Sequence, residues 1–326
     1  MRTKKKETNL IICNSYPTDK NPTAQIFIKN IKTQLESKGI YSCVYYNKII
    51  DIWPEATSYK SITANIIKYS VFILGLIPLF IRIRQFKTIN PHGILISGFV
   101  GAIIKIIFKK KLITHIHGGD VNQFSKKNSI YKFLYFITLK YSDIIISNSD
   151  DINDKLIQIQ PIEKKMVKIY PGVDNRLFHK HDLKTKKRSK EKYKIPKNRI
   201  IFLFVGNAIK RKGLDLFYDA INKLNDKEIK KIHVIICSDG PELGKIKNSV
   251  VNNLRLKKIF TFLKKVNQKN LPEIYSLGDV FVFPSREEPL GLVGIEALTC
   301  GLPVIGTEIG GIKDYLVDNF NGLLFE

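Results

Sequence analysis

Glu288 and Glu296 stand eight positions apart in Glu288-Pro-Leu-Gly-Leu-Val-Gly-Ile-Glu296, and no other pair in this chain is better placed to do chemistry. Ahead of them, Asp279-Val-Phe-Val-Phe283 is a short apolar run suited to a buried parallel strand; beyond them, Gly301 and Pro303 close a segment of helix formers. The spacing predicts a turn over 284–291 and a helix over 292–300, so Glu288 precedes the helix and Glu296 lies about a turn inside it. A helix N-terminus offers free N–H groups and partial positive charge to a diphosphate, and a carboxylate can accept two hydrogen bonds from a vicinal diol such as ribose. The pair reads as a nucleotide-sugar clamp. Two surface glutamates on an ordinary strand-turn-helix unit are the plainer alternative.

A second basic and glycine-containing loop, Val205-Gly-Asn-Ala-Ile-Lys-Arg-Lys-Gly-Leu-Asp215, also follows an apolar run. Gly206 permits close backbone approach, and Lys212 with Gly213 sets an ammonium at the start of a helix, where a diphosphate would sit; a solvated basic loop is the alternative. His117-Gly-Gly-Asp120 puts an imidazole at a strand end flanked by glycines, a position suited to ligand contact or to a structural histidine.

These blocks resemble, in order, the motifs of the retaining GT-B glycosyltransferases known as glycosyl transferases group 1, or family four, whose signature is Glu-x7-Glu. Ser238-Asp-Gly-Pro241 resembles that family's Gly-Asp-Gly-Pro turn, Leu271-Pro-Glu-Ile-Tyr275 the segment leading to the signature strand, and Tyr170-Pro-Gly-Val-Asp174 its domain junction. The resemblance implies an α/β protein of GT-B architecture, two Rossmann-like doubly wound domains facing across a cleft. An acceptor-binding domain would cover 1–171 and a nucleotide-sugar-binding domain 172–326. The family usually continues past Asn321-Gly-Leu-Leu324 with helices that return to the first domain, so the second domain is expected to be incomplete at Glu326.

The implied activity is transfer of a sugar, of the hexosyl type, from a nucleoside diphosphate sugar (UDP- or GDP-linked) to a hydroxyl of a sugar or lipid-linked acceptor, with retention. Bacterial surface polysaccharide or glycolipid synthesis is the implied setting. By resemblance, His117 and Glu288 are catalytic; Gly206, Arg211, Lys212, Leu290, Gly291, Leu292 and Glu296 bind the donor; Asp120 and Gln25 face the acceptor. Two departures stand out: Asn207 replaces an arginine common in the family, with Arg211 as a substitute charge, and Gln25 replaces a glycine before Ile26-Phe27. No Asp-x-Asp occurs, so neither a metal nor a cofactor is expected. An inactive sugar-nucleotide-binding protein and a GT-B epimerase are the alternative functions.

Composition bounds the rest. The 326 residues suffice for two domains, and the four cysteines, Cys13, Cys43, Cys237 and Cys300, form no Cys-x-x-Cys pair, which fits a cytoplasmic protein without disulfides or zinc. Fifty-four Lys and Arg against 29 Asp and Glu make a net charge of +25. With no nucleic-acid-binding motif, that charge points to an anionic membrane surface combined with a compositional bias toward lysine. The longest apolar run, 71–81, is far shorter than the roughly 20 residues a membrane span needs. It reads as a buried helix kinked at Pro78 or as an interfacial one, and 103–111 repeats the pattern of an apolar stripe ending in lysines.

Short apolar runs alternate with helical patterns along the whole chain, which predicts βα units around parallel sheets. Strands are expected at 10–12, 41–45, 93–96, 112–116, 144–146 and 167–169, then at 200–205, 233–237, 259–262, 280–283 and 304–305. A helix over 23–38 carries Ile28, Ile31 and Leu35 on one face and stops at Gly39, and the lysine-rich 184–194 is expected to form a short solvated helix.

Overall fold

In a computed structural model the described residues are 8–19, 25–46, 70, 72, 75–119, 121–126 and 128–326. The chain separates into two compact units, Met1–Tyr170 and Pro171–Glu326. Each is built on one parallel six-stranded sheet.

The first sheet comprises β1 (Asn9–Cys13), β2 (Ser42–Tyr46), β3 (Thr88–His92), β4 (Lys111–Ile116), β5 (Ile144–Ser147) and β6 (Met166–Lys168), in the order β2-β1-β3-β4-β5-β6. The strand order reverses between β1 and β3, where an open sheet leaves a crevice at its carboxyl edge. Leu10, Ile11, Ile12 and Cys13 of β1 are fully buried. The helix Ile26–Ser37 ends, as its sequence predicts, just before Gly39, which adopts φ 82°.

β3 is where expectation and structure part. The sequence places a strand at 93–96, whereas Pro91 just ahead of it lacks the N–H that a central strand uses. Instead Pro91 lies inside the strand, opposite Ile12 of β1. On the other edge the pairing with β4 runs Thr88↔Lys111, Ile89↔Leu112 and then His92↔His115, skipping the proline. The sheet tolerates Pro91 by interrupting one ladder. Ile96 begins the helix Ile96–Phe108 rather than ending a strand.

The second sheet comprises β7 (Ile200–Asn207), β8 (Ile232–Asp239), β9 (Phe260–Lys264), β10 (Val280–Phe283), β11 (Val304–Thr307) and β12 (Gly322–Phe325), ordered β12-β11-β10-β7-β8-β9. Within this unit the strands run 6-5-4-1-2-3, the order of dinucleotide-binding sheets, and the reversal falls between β7 and β10. β8 is buried along seven of its eight residues, which is why its middle, Val234–Cys237, is an unbroken apolar run rather than an alternating one. β12 has no counterpart among the expected strands.

Two core clusters cover the faces of this sheet, one around Leu203, Tyr275, Phe281 and Phe283, the other around Phe204, Phe217, Val234 and Ile246. The lysine-rich segment is a helix, Leu183–Lys192, capped by Asp182, whose carboxylate accepts from the Thr185 N–H at 2.7 Å. Pro78 does not kink a helix. It sits in the first turn of the short helix Ile77–Arg82, where its missing N–H has no intrahelical partner to lose; residues 71, 73 and 74 of that apolar run lie outside the described residues.

Candidate functional site

The loops leaving β7 and β10 meet at the reversal of the second sheet. Gly213 makes the approach possible: at φ 66° it accepts a conformation that other residues enter with strain, and a side chain there would run into the backbone of Pro284. Asp215, in the first turn of the following helix Leu214–Asn222, then grips Arg286 from the β10 loop, with Nη1 to Oδ1 at 2.7 Å and Nη2 to Oδ2 at 2.9 Å. Arg286 also donates to the Lys210 carbonyl at 2.8 Å, and its backbone N–H to the Arg211 carbonyl at 2.7 Å. Arg286, with Lys210 behind it, holds the Asp215 carboxyl well below the ordinary range. The two loops are therefore stapled into one body.

Between them Lys212 pairs with Glu288. Both are largely buried, with side-chain exposures of 15% and 7%, and the ammonium also lies 5.4 Å from the centre of the Phe283 ring. Burial draws the Lys212 pKa down, and the Glu288 charge opposes it. Ser285 Oγ donates to the same Glu288 oxygen at 3.3 Å. Arg211 is turned the other way, exposed, with Nη1 donating to the Glu287 carbonyl at 3.2 Å. Gly206 is half-buried, and the nearest atoms to a side chain built on it are those of Phe204 at 3.7 Å, so the space over this backbone is open.

The helix Leu292–Thr299 begins at Gly291, whose φ of 87° again favours glycine; a Cβ there would stand 2.5 Å from the Phe283 ring. The N–H groups of Leu290, Gly291 and Leu292 donate to no acceptor among the described residues, while Tyr315 Oη holds the Gly291 carbonyl at 3.1 Å. Those three donors and the helix end carry partial positive charge, an arrangement suited to an anion. Leu290 anchors it, with its side chain buried.

Glu296, on the second turn of this helix, is 6% exposed and accepts a hydrogen bond from Tyr275 Oη at 2.8 Å. Burial pushes its carboxyl up to about 7, opposed by hydrogen bonds from Tyr275 and Gln268. No cation pairs with it among the described residues. The arrangement therefore joins a buried ammonium–carboxylate pair, free backbone donors and a separate buried carboxylate at one carboxyl edge of a dinucleotide-type sheet.

In the first unit, His117 follows β4 and is half-buried, with the Phe27 ring 4.5 Å away. Its Nε2 lies 3.0 Å from Nδ1 of His92, whose own Nε2 lies 2.9 Å from Oδ1 of Asn90. Burial and the neighbouring His115 lower His117 to about 3, and His115 itself falls to about 4 through burial. All are neutral at physiological pH. Gln25 caps the helix Ile26–Ser37 in the left-handed conformation, φ 41° and ψ 45°, so it occupies the glycine-like backbone state that the family pattern calls for despite its side chain. Its Oε1 is buried without a hydrogen-bond partner among the described residues. Asp120 lies outside the described residues.

Sequence reasoning brought Lys212, Glu288, Gly291 and Glu296 to the fore but missed their supports. Asp215 and Arg286 are separated by 71 positions, and only their opposite charges beside glycine-containing loops hinted at a pairing. Asn90 and His92 were missed because they lie ahead of the strand expected at 93–96.

Two doubly wound parallel sheets, one carrying this nucleotide-type loop pair, define a protein of GT-B architecture. The glycosyl transferases group 1 profile matches residues 185–326. Over 289 residues the chain is 30% identical to an uncharacterized glycosyltransferase of Methanocaldococcus jannaschii, covering 86% of this chain and 72% of that protein. The chain belongs to the glycosyl transferases group 1 family. It is also 28% identical over 239 residues to the N-acetyl-alpha-D-glucosaminyl L-malate synthase of Bacillus anthracis, covering 72% of this chain but only 59% of that enzyme. The fold matches that of Anabaena HepE, solved in complex with UDP, with a TM-score of 0.74 at 18% identity over 98% of this chain and 85% of that one.

Proposed function

We propose that the protein transfers a sugar from a nucleoside diphosphate sugar to an acceptor hydroxyl with retention of anomeric configuration. One observation carries this reading: Lys212, Glu288, Glu296 and the unpaired N–H groups of Leu290, Gly291 and Leu292 all belong to loops and a helix at the reversal of a dinucleotide-type sheet. The diphosphate takes the Lys212 ammonium and the backbone donors. That exchange frees the Glu288 carboxylate to accept hydrogen bonds from the transferred sugar, and Glu296 holds the ribose diol. The acceptor oxygen forms its bond to the anomeric carbon on the face the diphosphate leaves. The glycosidic C–O electrons pass to the diphosphate oxygen, which also takes the acceptor proton. Positive charge from Lys212 and from the N-terminus of the helix Leu292–Thr299 stabilises that oxygen as the bond breaks, so no protein nucleophile is needed.

The UDP complex of Anabaena HepE makes a UDP-sugar the first donor to try. A panel of UDP-, GDP- and ADP-sugars, followed for nucleoside diphosphate release with sugar and lipid-linked acceptors, tests the activity. Release from at least one donor, lost in Glu288→Gln, is expected, and a product of inverted configuration or no release from any donor overturns the reading.

We also infer that the first unit docks reversibly on anionic membranes. Ile77 and Ile81 are 60% and 83% exposed, Ile107 is 59% exposed, and Phe80 packs on Phe108 at 5.7 Å, which joins these apolar residues to the lysines at 109–111. No helix among the described residues is long and apolar enough to cross a membrane.

A further inference from the structure

Beneath His117 the polar contacts run into the sheet. Asn90 and His92, on β3, are 6% and 2% exposed, and the chain of contacts runs Asn90 Oδ1 to His92 Nε2 at 2.9 Å, then His92 Nδ1 to His117 Nε2 at 3.0 Å. A carbonyl oxygen only accepts, so Nε2 of His92 carries its proton. A neutral imidazole has one N–H, so Nδ1 of His92 is bare and can only accept in turn. Nε2 of His117 then carries the proton, and Nδ1 of His117 is a lone pair. Among the described residues that nitrogen has no hydrogen-bond partner.

We propose that Asn90 and His92 are positioning residues that lock His117 in its Nε2–H tautomer, so that it presents a hydrogen-bond acceptor, and neither a donor nor an acid, to a hydroxyl of an acceptor sugar bound at the carboxyl edge of the first sheet. What the lone pair meets rests on the glycosyl-transfer reading; the lock itself does not. The surroundings keep the relay neutral: a proton added to any one ring would be buried, and with His92 stacked on His115 at 4.4 Å between ring centres and 5.2 Å from His117, a second would be repelled by the first. Phe27 covers a further side of His117 with an apolar ring. A hydroxyl that donates to Nδ1 keeps both its lone pairs for other partners.

The test is ring-nitrogen NMR of the full chain, with the His117 signals assigned against His117→Gln. The expected spectrum has a bare Nδ1 and a protonated Nε2 on His117. Asn90→Leu removes the first acceptor and should let both rings sample the other tautomer, lowering kcat/KM roughly three- to tenfold while leaving UDP affinity unchanged. His92→Asn sets an amide oxygen where Nδ1 stood, so it should keep the tautomer of His117 and most of the turnover, and adding Asn90→Leu to it should change nothing further. A protonated Nδ1 or an averaged pair in the wild type, or an unchanged tautomer in Asn90→Leu, overturns the proposal. Should Asn90→Leu not fold, the wild-type spectrum and His92→Asn still decide. A locked tautomer in a protein that transfers no sugar would sink the glycosyl-transfer reading and spare the lock, whereas transfer with a protonated Nδ1 would do the reverse.

Discussion

Replacing Glu296 by glutamine should make the protein more stable above neutral pH and a poorer nucleotide binder at once. The side chain is 6% exposed, its partner is the Tyr275 hydroxyl at 2.8 Å, and burial raises its carboxyl from the ordinary 4.5 to about 7. Because the folded pKa lies above the unfolded one, the folded protein binds this proton more tightly between about pH 4.5 and 7. The penalty is absent below that window, grows through it and is complete above about 7. At roughly 1.4 kcal/mol for each tenfold, it amounts to about 3 kcal/mol. Glutamine keeps an oxygen for Tyr275 and cannot ionise, so Glu296→Gln should be about 2–3 kcal/mol more stable than the wild type at pH 8 and no different at pH 4.5. The same change removes charge-assisted hydrogen bonds to a diol, which should weaken UDP binding roughly ten- to hundredfold at pH 8. Wild-type affinity should itself decline as pH falls through 7. Urea unfolding across that pH range, with calorimetry of UDP binding, reads both effects. A variant less stable than wild type at pH 8, or a difference that does not vary with pH, would refute the reasoning, since it would mean that ionising Glu296 costs the fold nothing.

The Lys212–Glu288 pair makes the opposite prediction: Lys212→Met strands a buried carboxylate and should cost about 3 kcal/mol, most of it recovered in Lys212→Met/Glu288→Gln, as urea unfolding of the two variants would tell. Gly291→Ala, with φ 87° and Phe283 2.5 Å from the new Cβ, should lose at least ~2 kcal/mol, whereas Gly119→Ala, whose Cβ meets no atom within 4 Å among the described residues beyond its chain neighbours, should change thermal stability little. For membrane docking, replacing Lys109, Lys110 and Lys111 by serine should weaken co-sedimentation with anionic vesicles, at about 1 kcal/mol per charge, and leave UDP binding alone. Wild-type binding should also fall with salt; a protein that ignores anionic vesicles at low salt ends that idea.

Most strands were legible because a strand buried on both faces is mostly apolar, as in Val234–Cys237, and the glycines and prolines that follow mark where it stops. The helix after Gly291 was legible for the same reason: a left-handed glycine, a run of helix formers and Gly301 bracket it. β3 was not. Its proline is tolerated only because the ladder to β4 skips it, and whether a ladder can skip a residue depends on the neighbouring strand.

The sequence by itself determined the two-sheet α/β character, the loops that follow β7 and β10, and the identity of Lys212, Glu288 and Glu296 as candidates, because residue type and spacing along one strand-turn-helix unit are local matters. Only the tertiary structure decided what those groups meet. Lys212 and Glu288 are 76 positions apart and become a buried pair because the strand order reverses between β7 and β10, with Asp215 and Arg286 pinning the two loops together. Likewise Asn90, His92 and His117 become one relay because β3 and β4 are neighbours in the sheet. Contacts of that kind are set by sheet order and register, and neither is written in the spacing of any single segment.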